Sequence, residues 1–446
     1  MASNKTRTLC KNYFRIHYFV LMLLGVSIQP MEKNIFSYLY KFYSIVMFTI
    51  VYIYFPLAEI LYLVYNTDLE NITSGTTYIC THTLGTLKII LILIFRKRIT
   101  AFCELIETKP FLPDPHRSGD IEFDYVQEAI NACNYQGYTF HIFVVAIVLP
   151  KIFYSLRDSE YETVFNDFQN VTFLVQRQRA GPFNCVMPFN TINSPYFEIT
   201  AIYQASCAAI LGCVIGSIDA IICGIMCHVK AQILILKKSL GTYIQQGLFL
   251  MEEDNIDGKN VIGVDEFEMI RNSKTSIQLE NVPISLQKYV DISVTQIIIH
   301  HQKVIKLSQD AEETFSLLML VQFLFSLSII CCQLFQLSIL KMGSAQFYSM
   351  CFYAMLMLFQ IFLFCYRGNE VIVHSYDLID AIFQSNWTEL NLKTQKSLLL
   401  MMTRACRPIR MTAGKFVFLS LEAFMSIVRG SGSYFMVLRS INMPEE

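Results

Sequence analysis

Long apolar runs separated by charged segments constrain this 446-residue chain more than any other feature of its sequence. A helix of about 20 apolar residues crosses the hydrocarbon core of a bilayer. Backbone polar groups in lipid must be satisfied internally, as they are in a helix. The sequence therefore predicts an all-α, polytopic membrane protein with seven transmembrane helices, formed by residues 42–65, 76–95, 138–156, 196–229, 314–340, 346–366 and 411–438.

The composition agrees with this class, because 54% of the residues are hydrophobic and only 16% are charged. Soluble domains contain about 25% charged residues. The net charge of −1 gives no argument for nucleic-acid binding. Most of the 14 cysteines lie inside apolar runs, where they act as small hydrophobic residues. Cys223 and Cys227 are one helical turn apart, but nothing completes a zinc set, so we expect neither a metal nor a cofactor.

The distribution of Lys and Arg outside the apolar runs predicts the orientation in the membrane. The segments on one side carry 27 of them and those on the other side carry six. Basic residues concentrate on the cytoplasmic side, so we expect a cytoplasmic N-terminus and an extracellular C-terminus. The sequons at Asn71 and Asn170 then lie outside the cell and are predicted glycosylation sites, whereas the one at Asn386 lies inside.

This orientation argues against a G-protein-coupled receptor, whose N-terminus is extracellular. The chain also lacks Asp-Arg-Tyr after the third run and Asn-Pro-x-x-Tyr in the seventh. Seven apolar runs alone would have suggested that class.

Two cytoplasmic segments, 284–313 and 369–409, carry apolar residues at helical spacing. The first should continue into the fifth span, and the fourth span is long enough to continue into the cytosol. Together, the two segments and the end of the fourth span could form a helical anchor bundle. The acidic stretch Glu252–Glu268 is predicted to be a solvated insertion.

The expected organisation is an N-terminal segment (1–41), spans one to four with the outer-leaflet ligand-binding part (42–229), a cytoplasmic loop with the insertion and an anchor helix (230–313), spans five and six (314–366), a cytoplasmic anchor helix (367–410), and span seven with a short external tail (411–446).

The last apolar run is less hydrophobic than the others and contains Lys415, Glu422 and Arg429. Small and polar residues recur at helical spacing along one side of this run, and one valine lies among them near the end. The residues of this stripe are Ser426, Gly430, Ser433, Val437 and Ser440. Such a stripe suits a helix that faces water. It also suits a packed seam, which the spacing alone favours, because small residues let membrane helices approach closely.

The C-terminal third resembles the insect odorant receptors. Any single matching motif is weak, but their order and spacing over some 140 residues are specific to that family, and the predicted orientation is the family's own. The motifs are His301-Gln302, Glu312-Glu313-Thr314-Phe315, Gln322-Phe323-Leu324, Phe335-Gln336-Leu337, Cys365-Tyr366-Arg367-Gly368-Asn369-Glu370, Ser385-Asn386-Trp387, Thr412-Ala413-Gly414-Lys415-Phe416, Leu419-Ser420-Leu421-Glu422-Ala423-Phe424 and Ser433-Tyr434-Phe435.

The resemblance implies a ligand-gated, non-selective cation channel in the plasma membrane of olfactory sensory neuron dendrites. Family members form tetramers with a shared odorant co-receptor, and the last helix of each subunit lines the pore. The co-receptor ends in Thr-Tyr-Phe-Met-Val-Leu-Val-Gln, where this chain has Ser433-Tyr434-Phe435-Met436-Val437-Leu438-Arg439-Ser440. The gate valine of that motif therefore corresponds to Val437, and the mismatch beyond it indicates an odour-tuning subunit.

The resemblance also implies a pocket for a volatile ligand in the outer half of the membrane, among spans two, three, four and six. The ends of these runs that face outward nominate mostly apolar and aromatic residues, as such a ligand requires: Tyr78, His82, Ile147, Pro150, Tyr154, Ala201, Ala205, Ala208, Tyr348 and Phe352. Lys88 and Asp219 are charges within the membrane that could pair with each other or extend to the interface.

Two alternatives remain. A gustatory receptor of the same fold would close on Thr-Tyr, five hydrophobic residues and Gln-Phe, which does not follow Ser433-Tyr434. A polytopic membrane enzyme would need a catalytic set near a membrane boundary. His300-His301, with Asp310 and Glu313 nearby, is the paired candidate for such a set.

Overall fold

The computed structural model describes residues 13–29, 34–65, 69–157, 161–166, 171–176, 179, 181–191, 193–256 and 284–442. In these ranges the chain is almost entirely helical. The helices are α1 (Arg15–Leu23), α2 (Ile35–Tyr65, with a π-helical segment at Phe48–Tyr54), α3 (Leu69–Ile94), α4 (Arg96–Ile106), α5 (Pro115–Ser118), α6 (Ile121–Arg157), α7 (Tyr196–Ile256), α8 (Ile284–Ile339), α9 (Ala345–Gln384), α10 (Leu392–Ala405) and α11 (Leu421–Asn442).

The helix α7 forms the centre of the subunit. It packs against α6, α8, α9 and α3, and nearly every side chain between Leu211 and Val229 is buried. A helix that is apolar all round belongs in the interior of a bundle, which explains why α7 has no polar face in this stretch.

Within the described residues, six helices are long and apolar enough to cross a membrane: Ile35–Tyr65, Gly75–Ile94, Ile121–Arg157, Tyr196–Asp254, Leu286–Ile339 and Gln346–Gln384. They contain the first six predicted spans. The seventh candidate, α11, is not among them, because its charged and small polar residues lower its hydropathy. The seventh crossing stays a prediction.

Three helices extend well beyond a bilayer. At 1.5 Å per residue, the 61 residues of α7 measure roughly 90 Å, against about 30 Å for the hydrocarbon core. The predicted continuation of residues 284–313 into the fifth span is confirmed, since α8 is one helix of 56 residues. Lys230 on α7 bonds Glu370 on α9 at 2.7 Å, which joins two of these extensions.

The predicted single anchor helix over 367–410 is wrong. The helix α9 ends at Gln384, a 3₁₀ turn follows at Trp387–Glu389, and α10 begins at Leu392. The break has a local cause, because the Asn391 side chain accepts a hydrogen bond from the Thr394 amide at 2.8 Å and caps a new helix.

The predicted helical start of the last run at Met411 is also wrong. Residues Thr412–Ala413 (β3) pair antiparallel with Val417–Phe418 (β4) in a short hairpin, and α11 begins only at Leu421. Gly414 and Lys415 turn the hairpin with φ of 61° and 64°, a conformation that glycine adopts at little cost. A second hairpin, Tyr161–Asn166 (β1) with Val171–Gln176 (β2), lies between α6 and α7.

Candidate ligand cavity and final helix

A cavity lies among α3, α6, α7 and α9, the helices of predicted spans two, three, four and six. Its empty space is about 640 Å³ when the open side is counted, of which about 70 Å³ can hold the centre of a water-sized molecule. The lining is mainly apolar and aromatic: Tyr78, Thr81, His82, Leu84, Phe140, Val144, Ile147, Val148, Phe183, Ala208, Gly212, Ile215, Tyr353, Leu356, Met357 and Gln360.

A loop that precedes α7 contributes Phe183 to the cavity wall. The Phe183 amide donates to Gln204 Oε1 at 3.2 Å, and the Gln204 amide donates to Cys185 Sγ at 2.8 Å. The Val186 amide donates to the Ala58 carbonyl on α2 at 3.1 Å. These bonds fix the loop at Phe183 and just after it, and the Phe183 ring is buried.

An aromatic stack and a cation border the same part of the cavity. The rings of Tyr78 and Tyr353 are parallel, with centroids 5.4 Å apart. Lys151 Nζ lies 3.6 Å from the Tyr78 centroid and 4.4 Å from that of Phe183. The hydroxyls of Thr81 and Tyr353 are 2.5 Å apart. Cation–π contact stabilises an ammonium group next to apolar surface, so the two rings hold Lys151 beside the cavity.

One wall of the cavity carries a buried acid–imidazole pair. His82 Nδ1 lies 2.7 Å from Glu59 Oε2, and the two residues are 5% and 2% exposed. The His82 ring also contacts Phe55 and Phe183, with centroids 5.0 and 5.6 Å away. A buried carboxylate is costly unless a partner offsets its desolvation, and His82 is that partner.

A second polar network lies below the cavity. Lys88 on α3 and Asp219 on α7 form an ion pair with both side chains 0% exposed. Gln360, which lines the cavity from α9, donates to the other oxygen of Asp219. Gln322 on α8 donates to Gln360 at 3.3 Å and to Ser326 at 2.7 Å. Of the two outcomes left open for Lys88 and Asp219, the structure shows pairing.

The structure brings four of the ten nominated pocket residues to the cavity: Tyr78, His82, Ile147 and Ala208. The other six lie outside it. Tyr154 shares a helical face with Ile147 but lies roughly 10 Å farther along α6, and it is exposed, as are Pro150 and Tyr348. Ala201 and Ala205 are buried nearer the start of α7, and Phe352 packs against Phe143.

Sequence reasoning missed Glu59, Thr81, Phe183, Tyr353 and Gln360. Glu59 had a usable signal, since it is a carboxylate inside an apolar run. Thr81 and Tyr353 are each next to a nominated residue in the sequence. A more precise choice of the helical face that points to the cavity would have included them. Phe183 had no signal, because only the fold of its loop brings it to the cavity.

The final helix packs against the subunit along one narrow face. Ala423 and Ser431 are buried, and Phe424 contacts Phe362 on α9 with ring centroids 5.6 Å apart. The predicted stripe lies on another side: Ser426, Ser433, Val437 and Ser440 are exposed and Gly430 is partly buried. Within one subunit, this stripe is therefore not a packed seam.

The polar network and the final helix meet at α8. Ser326 belongs to the network, and the next residue, Leu327, is the described side chain nearest to Gly430: a Cβ built on Gly430 would lie 3.6 Å from Leu327 Cδ1. Two adjacent residues of α8 thus join the polar network and lie near the α11 backbone.

The remaining candidates lie away from the cavity. His300 and His301 are buried between helices, and the His300 ring bonds Gln232 Oε1 at 2.9 Å. Asn71 is in the first turn of α3, with a side chain that is not described, and Asn170 lies outside the described residues, as does most of the acidic insertion. In the part of the chain that the structure covers, no cluster of His, Cys, Asp or Glu could hold a metal ion.

Comparison with known proteins gives consistent matches. The family model described as 7tm odorant receptor matches residues 68–432. Odorant receptor 10 of Aedes albopictus is 30% identical over 154 residues, 34% of this chain and 41% of the relative. Odorant receptor 46a, isoform B, of Drosophila melanogaster is 37% identical over 126 residues, 27% and 33% of the two chains. The matched segments thus span about two fifths or less of these relatives.

A solved structure shares the fold over almost the whole chain. The insect olfactory receptor OR5 of Machilis hrabei in complex with eugenol superposes with a TM-score of 0.73, covering 98% of this chain and all of the other at 16% identity. The same receptor without eugenol gives a TM-score of 0.69. The gustatory and enzyme alternatives receive no support from these matches.

Proposed function

This chain belongs to the 7tm odorant receptor family, and we propose that it is a subunit of a cation channel that a volatile odorant opens. The observation that carries the proposal is the cavity among α3, α6, α7 and α9, which is mainly apolar, has a few polar groups and lies next to a polar network that reaches α8. The OR5 structure of the same fold holds eugenol, a small aromatic odorant.

The proposed ligand site is this cavity, including Tyr78, His82, Ile147 and Ala208 from the sequence prediction. The six nominated residues that lie outside it are not part of this site in the conformation described. A bound ligand changes a conformational equilibrium only through a difference in its affinity for the two states. Gln360 is a group through which such a difference could reach α8, because it touches both the cavity and Gln322.

The proposed pore is lined by the exposed stripe of α11, with Val437 as the gate and Ser426, Gly430, Ser433 and Ser440 along the path. In one subunit Val437 is 55% exposed, so its side chain is free to meet the same residue of neighbouring subunits. Four such helices would cover one another's stripes and enclose a path for cations. A ring of valines can close a pore by excluding water.

The proposed partners are odorant co-receptor subunits in a tetramer, in the plasma membrane of olfactory neuron dendrites. The long extensions of α7, α8 and α9 and the short α10 offer the surface for this assembly. The proposed orientation places the N-terminus in the cytoplasm, on the side where Lys and Arg concentrate.

Co-expression of this chain with an odorant co-receptor in cells, followed by current recording against a panel of volatiles, tests the proposal. We expect a cation current that requires both chains and at least one volatile. Cells with the co-receptor alone are the control. Surface expression of both chains without any odorant-evoked current would contradict the proposed function.

A further inference from the structure

Three side chains of the cavity wall rest on the backbone of a glycine in the neighbouring helix. The pairs are Phe140 on Gly216, Val144 on Gly212 and Ile215 on Gly85. A Cβ built on any of these glycines would lie between 2.7 and 3.0 Å from the side chain opposite. Small residues let membrane helices approach closely, so at these three positions the wall has a helix backbone directly behind it.

A wall that is backed in this way cannot retreat from a large ligand. The interior of a protein is close-packed and has low compressibility. To make room at Val144, α6 would have to move away from α7, against which it packs along much of its length. These backed positions therefore set fixed limits on the space that a ligand can use.

Val144 is the position at which one such limit is defined most clearly by the contacts. Its atoms Cγ2, Cγ1 and Cβ would lie 2.7, 3.0 and 3.4 Å from a Cβ built on Gly212. Both residues line the cavity. The two methyl groups of Val144 thus fill the space above the Gly212 backbone, and without them that space would join the cavity.

Building on the proposed function, we propose that Val144 determines the upper size limit of the volatile ligand, together with Phe140 and Ile215. An alkyl chain in the cavity gains affinity with every methylene group that it buries, about fourfold for each. The gain ends where the chain meets the backed wall, because a further methylene group overpacks the site. Ligands above this limit bind more weakly.

The test uses this chain co-expressed with an odorant co-receptor. The probes are built on the volatile that gives the largest current in the panel described above, by adding methylene groups to it one at a time as an n-alkyl chain. In the unchanged channel, the half-activating concentration should fall about fourfold per methylene group to a minimum and then rise. The homologue at the minimum defines the optimal length.

Three variants should change this optimal length by different amounts. Val144→Ala should increase it by about two methylene groups, the space that two methyl groups leave. Adding Gly212→Ala returns one carbon to that space, 3.4 Å from Cβ of residue 144, so the double variant should increase it by only about one. Ile215→Val removes the methyl group that lies 3.0 Å from the Cβ position of Gly85 and should also increase it by about one.

Val126→Ala is the matched control, because it makes the same change at a buried position of α6 that does not line the cavity. Its optimal length should equal that of the unchanged channel. Surface labelling shows which variants reach the membrane, and Ile215→Val is the variant that decides if Val144→Ala does not reach it.

An unchanged optimal length in the deciding variant would overturn this inference and leave the proposed function standing. An equal increase in Val126→Ala, or an increase in the double variant as large as in Val144→Ala alone, would also overturn it. Failure of every volatile to open a conductance would contradict the proposed function itself.

Discussion

The helices α7 and α11 differ in where their partners lie. Between Leu211 and Val229, α7 is buried almost completely, and its charged residue Asp219 is paired inside the subunit. Most of α11 is exposed, including the small and polar residues of its stripe. The subunit is built around α7, whereas α11 has a surface that another chain, lipid or water must cover. Changes in α7 should therefore affect folding, and changes on the α11 stripe should affect conduction.

The largest effect should come from breaking the buried ion pair. Asp219→Leu leaves Lys88 charged, fully buried and without its partner, and removal of one partner from such a pair costs about 3–5 kcal/mol. We expect surface expression to fall sharply. The double variant Lys88→Met/Asp219→Leu should recover much of it, because no charge is left behind. Surface labelling measures the amount of each variant at the cell surface. Equal amounts of the single and double variants would contradict the interpretation of Lys88 and Asp219 as a buried ion pair.

A smaller effect should follow from adding one methyl group to each helix. In Gly216→Ala on α7, the new Cβ would lie 2.8 Å from Phe140 Cβ, so α6 and α7 must move apart at a cost of about 1–3 kcal/mol. In Gly432→Ala on α11, no described atom lies within 4 Å of the new Cβ. Thermal unfolding in detergent should show a lower midpoint only for Gly216→Ala. An equal decrease in the unfolding midpoint for the two variants would contradict the difference in packing between α7 and α11.

The smallest effect on folding should come from the proposed gate. Val437→Ala shortens an exposed side chain, so the amount of protein at the surface should not change, but resting current should rise because a wider ring no longer excludes water. Met436→Ala is the matched control, since Met436 is 59% exposed on a different side of α11. A resting conductance and ion selectivity that stay at the level of the unchanged channel would count against Val437 as the gate.

The sequence predicted what depends on local pattern. The first six spans followed from the length of the apolar runs, and the continuity of α8 followed from its helical spacing. The break at Asn391 and the hairpin around Gly414 were missed, because each depends on one capping or turning residue inside an apolar context. Phe183 and Gln360 became visible only when separate elements packed together, whereas Glu59 could have been found as a carboxylate inside an apolar run. Four of ten nominated pocket residues line the cavity, since helical depth and facing cannot be fixed from one helix alone.

Two serines on the final helix test the central claim most directly, that its exposed stripe faces an ion path. Ser433 is exposed and Ser431 is fully buried against the subunit. Each is replaced by Cys, and a charged thiol reagent is applied from outside during odorant-evoked current, with the unsubstituted channel as the background. We expect the reagent to reduce current through Ser433→Cys and to leave Ser431→Cys at the background level. Block at Ser431→Cys, or none at Ser433→Cys, would contradict the account.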